Sequence, residues 1–214
     1  MKKNTELLLS ELLRRYPSLK ICKKEILNTV EILVQNHKNG NKILLCGNGG
    51  SSADAEHISG ELLKGFMSKR QPTEQDTNEF LKLGKDGEIL ADNLQRGIKA
   101  IPLGSFQAAF TAYINDANPD LVYAQLTYAL ASKGDVLFVL STSGNSKNIY
   151  YAALTAKSLG VKVVALTGSL GGLLRDLSDI CIRVPETETF KVQELHLPIY
   201  HFICAGLESE LFID

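Results

Sequence analysis

The 214 residues are 44% hydrophobic and 22% charged, with a net charge of −1. Such a chain can bury a substantial core, and its near-neutral balance offers no electrostatic basis for binding nucleic acid or an acidic membrane surface. No apolar run approaches the roughly 18 residues that a bilayer span requires, and the length suits one large domain if the apolar runs alternate evenly. The cluster Leu7-Leu8-Leu9 near the N-terminus is soon broken by Ser10, Glu11, Arg14 and Arg15, unlike a signal peptide. The four cysteines, at 22, 46, 181 and 204, form no C-x-x-C pair, so neither a zinc knuckle nor a redox pair is indicated. Cys46 and Cys181 lie in apolar runs, where cysteine acts as a small buried hydrophobe, and a reducing cytoplasm is the simplest home.

Residues 5–39 carry helical stripes interrupted at Pro17-Ser18, and Gly40 ends the second. These stripes are broad enough either to pack on the domain or to zip to another subunit. From residue 42 the pattern alternates between short apolar runs and helical segments. Strands are predicted at 42–46, 98–103, 135–140, 161–166 and 179–184. Helices are predicted at 51–66, at 105–132 in two pieces broken at Pro119, at 145–159, at 171–177 and at 189–213. Strands alternating with helices argue for a five-stranded parallel sheet covered on both faces, with ligands beyond the carboxyl ends of the strands. Residues 68–97 break the alternation. They are polar and hold two short helical pieces, about 72–83 and 86–96, ended by Gly84 and Gly97. This reads as an inserted helical hairpin, a decoration or subunit contact rather than a lid.

Three loops carry candidate chemistry. The first runs Gly47-Asn48-Gly49-Gly50-Ser51-Ser52, between the first strand and a helix bearing His57 and Glu61. A glycine turn at a helix N-terminus gathers free N–H groups suited to an anionic or polyhydroxy ligand. His57 and Glu61, at i and i+4, point within about 40° of each other on a helix. They could share a metal or a proton, or form an ordinary surface pair. The second loop is Ser141-Thr142-Ser143-Gly144-Asn145-Ser146, whose four hydroxyls exceed what one N-cap needs and make a phosphate cradle. No lysine of the nucleotide P-loop is present, and Gly47-x-Gly49-x-x-Ser52 is only a weak dinucleotide fingerprint. The third lies on the last helix, Gln193 through His201. His196 and His201 diverge by about 140°, so they cannot easily serve one site, and geometry alone leaves either as the functional one. Pro198 should bend this helix.

Together these motifs resemble the sugar isomerase (SIS) domain family and, within it, the phosphoheptose isomerases. The resemblance rests on residues 47–57, 141–146 and 192–201 in the family's order and covers about residues 20–210. It implies a flavodoxin-like SIS domain over 1–214, with N-terminal helices in 1–40 and a helical insert at 68–97. It also implies a homotetramer with sites shared between subunits, and one zinc ion per subunit. By the same resemblance the zinc ligands are His57, Glu61, Gln193 and His201, which selects His201 over His196. The substrate contacts are Asn48, Gly49, Gly50, Asn115, Asp116, Ser141, Thr142, Ser143, Ser146, Thr189 and Gln193. The insert replaces a shorter connection found in other members and bears on which sugar is used.

The implied reaction converts sedoheptulose 7-phosphate to D-glycero-D-manno-heptose 7-phosphate by moving a proton between C1 and C2 through an enediol. Glu61 is the candidate base and His201 the candidate acid. The alternatives are a non-catalytic SIS protein, serving as a phosphosugar sensor or adaptor, and an isomerase of another ketose phosphate. A pure binding module would not need Glu61, Gln193 and His201 together.

Overall fold

The computed structural model describes residues 1–213. Helices α1 (Lys3–Arg15) and α2 (Lys23–Lys38) come first, joined by a 3-10 turn that starts at Pro17. Five strands follow: β1 (Ile43–Gly47), β2 (Ala100–Pro102), β3 (Val136–Ser141), β4 (Lys162–Thr167) and β5 (Ile180–Arg183). Between β1 and β2 lie α3 (Gly50–Leu63), α4 (Glu74–Leu81) and α5 (Lys85–Asn93). Helices α6 (Gln107–Asp116) and α7 (Val122–Leu130) precede β3, α8 (Lys147–Ser158) follows it, and the short α9 (Leu174–Leu177) precedes β5. The last helix, α10, runs from Thr189 to Phe212 and passes through Pro198 as one helix.

The strands form one parallel sheet in the order β2-β1-β3-β4-β5. Successive side chains point to opposite faces, and both faces are buried, which is why the strands read as continuous apolar runs. Ile43, Leu45, Phe138, Leu140 and Val164 face α1, α2, α3 and α10. Leu44, Cys46, Leu137, Val139 and Val163 face α7 and α8. Each fully buried Val, Leu or Phe contributes about 1.5–3 kcal/mol. The strand predicted at 98–103 is a three-residue edge strand, because Pro102 has no N–H to donate and the chain turns into a 3-10 helix at Leu103. The helix predicted at 171–177 shrinks to one turn because Gly171 and Gly172 both adopt positive φ.

The N-terminal helices pack on this chain. Leu9 and Leu12 of α1 and Ile26, Val30 and Leu33 of α2 join the core beside α10, and Thr5 donates to Glu210 Oε1 at 2.7 Å. Leu7 and Ile21 remain exposed.

The insert is a helical hairpin. A capping box of Thr73 and Asp76 starts α4, and Gly84, at φ +71°, turns the chain into α5. Gly87 packs against the carbonyl of Phe80 more closely than any side chain would allow. Leu81, Leu83, Ile89 and Leu94 are exposed. The base is pinned to the body, with Ile98 N donating to Leu62 O at 2.8 Å and Arg96 N to Arg70 O at 2.7 Å.

Candidate active site

The strand order reverses direction between β1 and β3, so the helices that follow these two strands leave on opposite faces and open a crevice at the strand carboxyl ends. The glycine turn after β1 and the hydroxyl loop after β3 flank that crevice. Gly49, at φ +55°, starts α3 with no side-chain cap. Ser146 starts α8, again with no side-chain cap, and its hydroxyl instead lies 3.3 Å from that of Ser141. In the first turns, Ser51 N and Ser52 N donate to the carbonyls of Asn48 and Gly49, and Ile149 N donates to Asn148 Oδ1 at 3.0 Å, while the N–H groups of Gly50, Lys147 and Asn148 have no side-chain acceptor among the described residues, which suits an anion. Asn48 and Asn148 exchange amide hydrogen bonds of 2.9 Å and tie the two loops together. Gly144, at φ +68°, holds the second loop shut, since a Cβ there would meet the Gly171 carbonyl oxygen at 2.0 Å.

Helices α3 and α10 lie side by side. Near the top, a Cβ on Gly50 would stand 2.6 Å from Gln193 Nε2. Seven residues further along α3, about 10 Å by helical rise, His57 Nε2 lies 3.3 Å from Glu61 Oε1. The His201 ring from α10 packs edge-on against His57, with centroids 5.0 Å apart. His201 Nε2 is buried without a hydrogen-bond partner. Burial, and then the neighbouring His57, lower its pKa below the ordinary histidine value, and Glu61 partly opposes this. His196 is fully buried on another side of α10 near Thr167. The divergence of the two histidines follows from their spacing; packing decides which one stands beside His57.

The structure thus gathers His57, Glu61 and His201 in one place, and Asn48, Gly49, Gly50 and Gln193 in another. Ser141 and Ser146 face each other across the hydroxyl loop, which also carries Thr142 and Ser143. Asn115 and Asp116 sit exposed at the end of α6, hydrogen-bonded to each other at 2.8 Å. No side-chain bond ties them to the other site residues within this chain. Thr189 opens α10 and is exposed.

Among the described residues, no group of three or more His, Cys, Asp or Glu side chains stands ready to hold a metal ion. The donor types nevertheless suit zinc, with two imidazoles and a carboxylate together and one buried nitrogen lacking a partner. Beside His201 opens a cavity of about 410 Å³ lined by Leu8, Leu12, Phe66, Met67, Leu197 and Phe202, among others. These apolar walls suit protein side chains better than a polyhydroxy phosphate. No described helix is long and apolar enough to cross a membrane.

The sequence pattern of the SIS domain matches residues 12–92 and 102–168 of this chain, well over half of its length. The chain belongs to the SIS-domain family. Its curated relatives include the phosphoheptose isomerase of Aliarcobacter butzleri, 40% identical over 181 residues, covering 85% of this chain and 82% of the relative. That of Crocosphaera subtropica is 38% identical over 185 residues, covering 86% and 82%. Among solved structures, the phosphoheptose isomerase of Neisseria gonorrhoeae superposes with a TM-score of 0.72 at 31% identity, covering 92% of this chain and 94% of that one. The one from Francisella tularensis gives 0.75 at 29% identity, covering 97% of each.

Four residues of this SIS domain that sequence reasoning did not single out support the His57–Glu61 pair. Tyr200, buried on α10, reaches both Asp54 and His57, with 3.1 Å to each. Burial raises the Asp54 pKa, partly offset by Tyr200 and His57; burial and Asp54 raise that of Tyr200. Arg70 and Glu208 close the far ends of the two helices. The sequence signal for Asp54 and Tyr200 is their placement one turn from His57 and beside His201, visible only once the two helices are known to be neighbours.

Proposed function

We propose that this SIS domain is an aldose–ketose phosphosugar isomerase that converts sedoheptulose 7-phosphate to D-glycero-D-manno-heptose 7-phosphate. The observation that carries the proposal is the His57–Glu61 pair at 3.3 Å with the His201 ring beside it, on helices that start at an anion-competent crevice. The names of the relatives, phosphoheptose isomerases, support isomerisation of a phosphoheptose. The hydroxyls of Ser141, Thr142, Ser143 and Ser146 and the free N–H groups of α8 hold the phosphate. Asn48, Gly49, Gly50, Thr189 and Gln193 line the path of the carbon chain. Remote binding of the phosphate fixes the reacting carbons and lowers the barrier. Glu61 takes the proton from C1 while His201 gives or relays one to the C2 oxygen, forming the enediol; Glu61 then returns its proton to C2 as the C1 hydroxyl gives its own back to His201.

His57, Glu61 and His201 would hold zinc, and the ion would act as a Lewis acid on the carbonyl; Gln193, which the family resemblance adds to the ligands, stands beside Gly50 in this structure and would have to come from there to complete the set. Asn115 and Asp116 would reach a site from a neighbouring subunit of a homotetramer, and the apolar cavity beside His201 is a surface such a subunit would cover. The protein would work in the cytoplasm, where its four free cysteines stay reduced.

Incubating sedoheptulose 7-phosphate with the protein in D₂O and following the sugar by NMR tests the reading. Deuterium at the transferred position and heptose product, both lost in Glu61→Gln while phosphosugar binding persists, are expected. Binding without exchange or product would refute the isomerase and leave a phosphosugar sensor.

A further inference from the structure

Tyr200 is 1% exposed, and its hydroxyl has two partners, Asp54 Oδ1 at 3.1 Å and His57 Nδ1 at 3.1 Å. A phenol has one proton to donate, and an ionised carboxylate has none. With the O–H directed at Asp54, the tyrosine oxygen meets His57 only as an acceptor, so the ring hydrogen must lie on Nδ1. From this geometry we infer that Asp54 and Tyr200 form a positioning relay that fixes neutral His57 as its Nδ1–H tautomer and presents the Nε2 lone pair to Glu61.

An isolated i, i+4 histidine–carboxylate pair satisfies itself, with Nε2–H donating to the carboxylate. The relay removes that option. Lys64 Nζ already donates to Glu61 Oε2 at 3.3 Å, but the bare nitrogen and Oε1, 3.3 Å apart, are both acceptors, and that contact is satisfied only by a proton or a cation brought between them. The Nδ1 side is closed by Tyr200, so moving the ring hydrogen to Nε2 requires the hydroxyl to turn from Asp54 and donate to Nδ1, which breaks both of its existing hydrogen bonds. His57 is thereby kept open toward the cleft. The functional weight of this inference rests on the proposed reacting centre, whereas the tautomer itself does not.

The test is the long-range proton–nitrogen correlation spectrum of the metal-free, full-length protein labelled with ¹⁵N. The His57 signals are assigned among the four histidines with His57→Gln. The wild type is expected to show protonated Nδ1 and unprotonated Nε2. Tyr200→Phe keeps the buried ring but removes the acceptor, and is expected to shift the hydrogen to Nε2. Asp54→Leu frees the tyrosine O–H to donate to Nδ1, and is expected to do the same. Zinc affinity, read by chelator competition, should fall about 10–100-fold in Tyr200→Phe. A wild-type Nε2–H pattern, or a wild-type pattern retained in Tyr200→Phe, would overturn the relay. If the Nδ1–H pattern is found but no deuterium enters the sugar, the relay stands and the isomerase reading falls.

Discussion

Arg70 and Glu208 form an ion pair of 2.8 Å in which neither side chain is more than 1% exposed. The other guanidinium nitrogens donate to the carbonyls of Leu62 at 2.7 Å and Glu61 at 3.2 Å, at the end of α3. Glu208 also accepts from the N–H groups of Phe66, Met67 and Ser68. The pair therefore ties the turn beyond Glu61 to α10 two turns beyond His201. Removing one partner leaves a buried charge uncompensated, so Glu208→Ala is expected to lower unfolding free energy by about 3–5 kcal/mol. Urea denaturation checks this, and a loss below about 1 kcal/mol would show that the pair is not the clamp described.

Stability should fall with acid in two stages. Burial pushes His196 down to about 4, with nearby Thr167 backbone offsetting only part. Its folded pKa lies below the unfolded value near 6.5, so the unfolded chain binds the proton first. The neutral ring's contribution is complete above pH 6.5 and fades as pH falls toward 4, by roughly 3 kcal/mol in total. Burial raises the pKa of Glu208, but the Phe66 and Met67 N–H groups and Arg70 together hold it below the ordinary carboxylate value. Its contribution is present above about pH 4.5 and is lost as pH falls through the lower folded value. Urea midpoints between pH 7 and 4 should drop steeply in the wild type and less in His196→Leu; equal slopes would contradict the assignment.

Ser146 occupies an N-cap position without capping, since its hydroxyl faces Ser141. Ser146→Ala should therefore cost less than about 0.5 kcal/mol of stability, against about 1 kcal/mol for loss of a working cap. Affinity for a sugar phosphate, measured by calorimetry, should weaken severalfold. Unchanged affinity would remove Ser146 from the phosphate cradle.

The hairpin of α4 and α5 buries no large apolar side chain, and its base is held by Arg96 N donating to Arg70 O and Gly65 N donating to Gln95 Oε1. Replacing residues 74–93 by a short glycine linker should leave the melting temperature within a few degrees, because the sheet core is untouched. A fall in native mass by light scattering would show that exposed Leu81, Leu83 and Ile89 serve a subunit contact; unchanged mass would show a decoration.

Much of this architecture was legible in local patterns. Short runs such as Ile43 to Cys46 and Val136 to Leu140 read as strands because a sheet buried on both faces needs no polar alternation. The glycine turn and the hydroxyl loop were legible because positive φ at Gly49 and Gly144 and more hydroxyls than one cap needs leave a mark on sequence itself. The i, i+4 spacing put His57 and Glu61 on one face. What sequence could not decide were pairings across the fold. Asp54 and Tyr200 are 146 positions apart and Arg70 and Glu208 are 138 apart, and each taken alone reads as an ordinary polar residue on a helix or in a polar insert. Likewise, only the packing of α10 against α3 and the sheet buried His196 and left His201 beside His57. Local periodicity records which way a side chain points; burial and partnership arise only when distant helices meet.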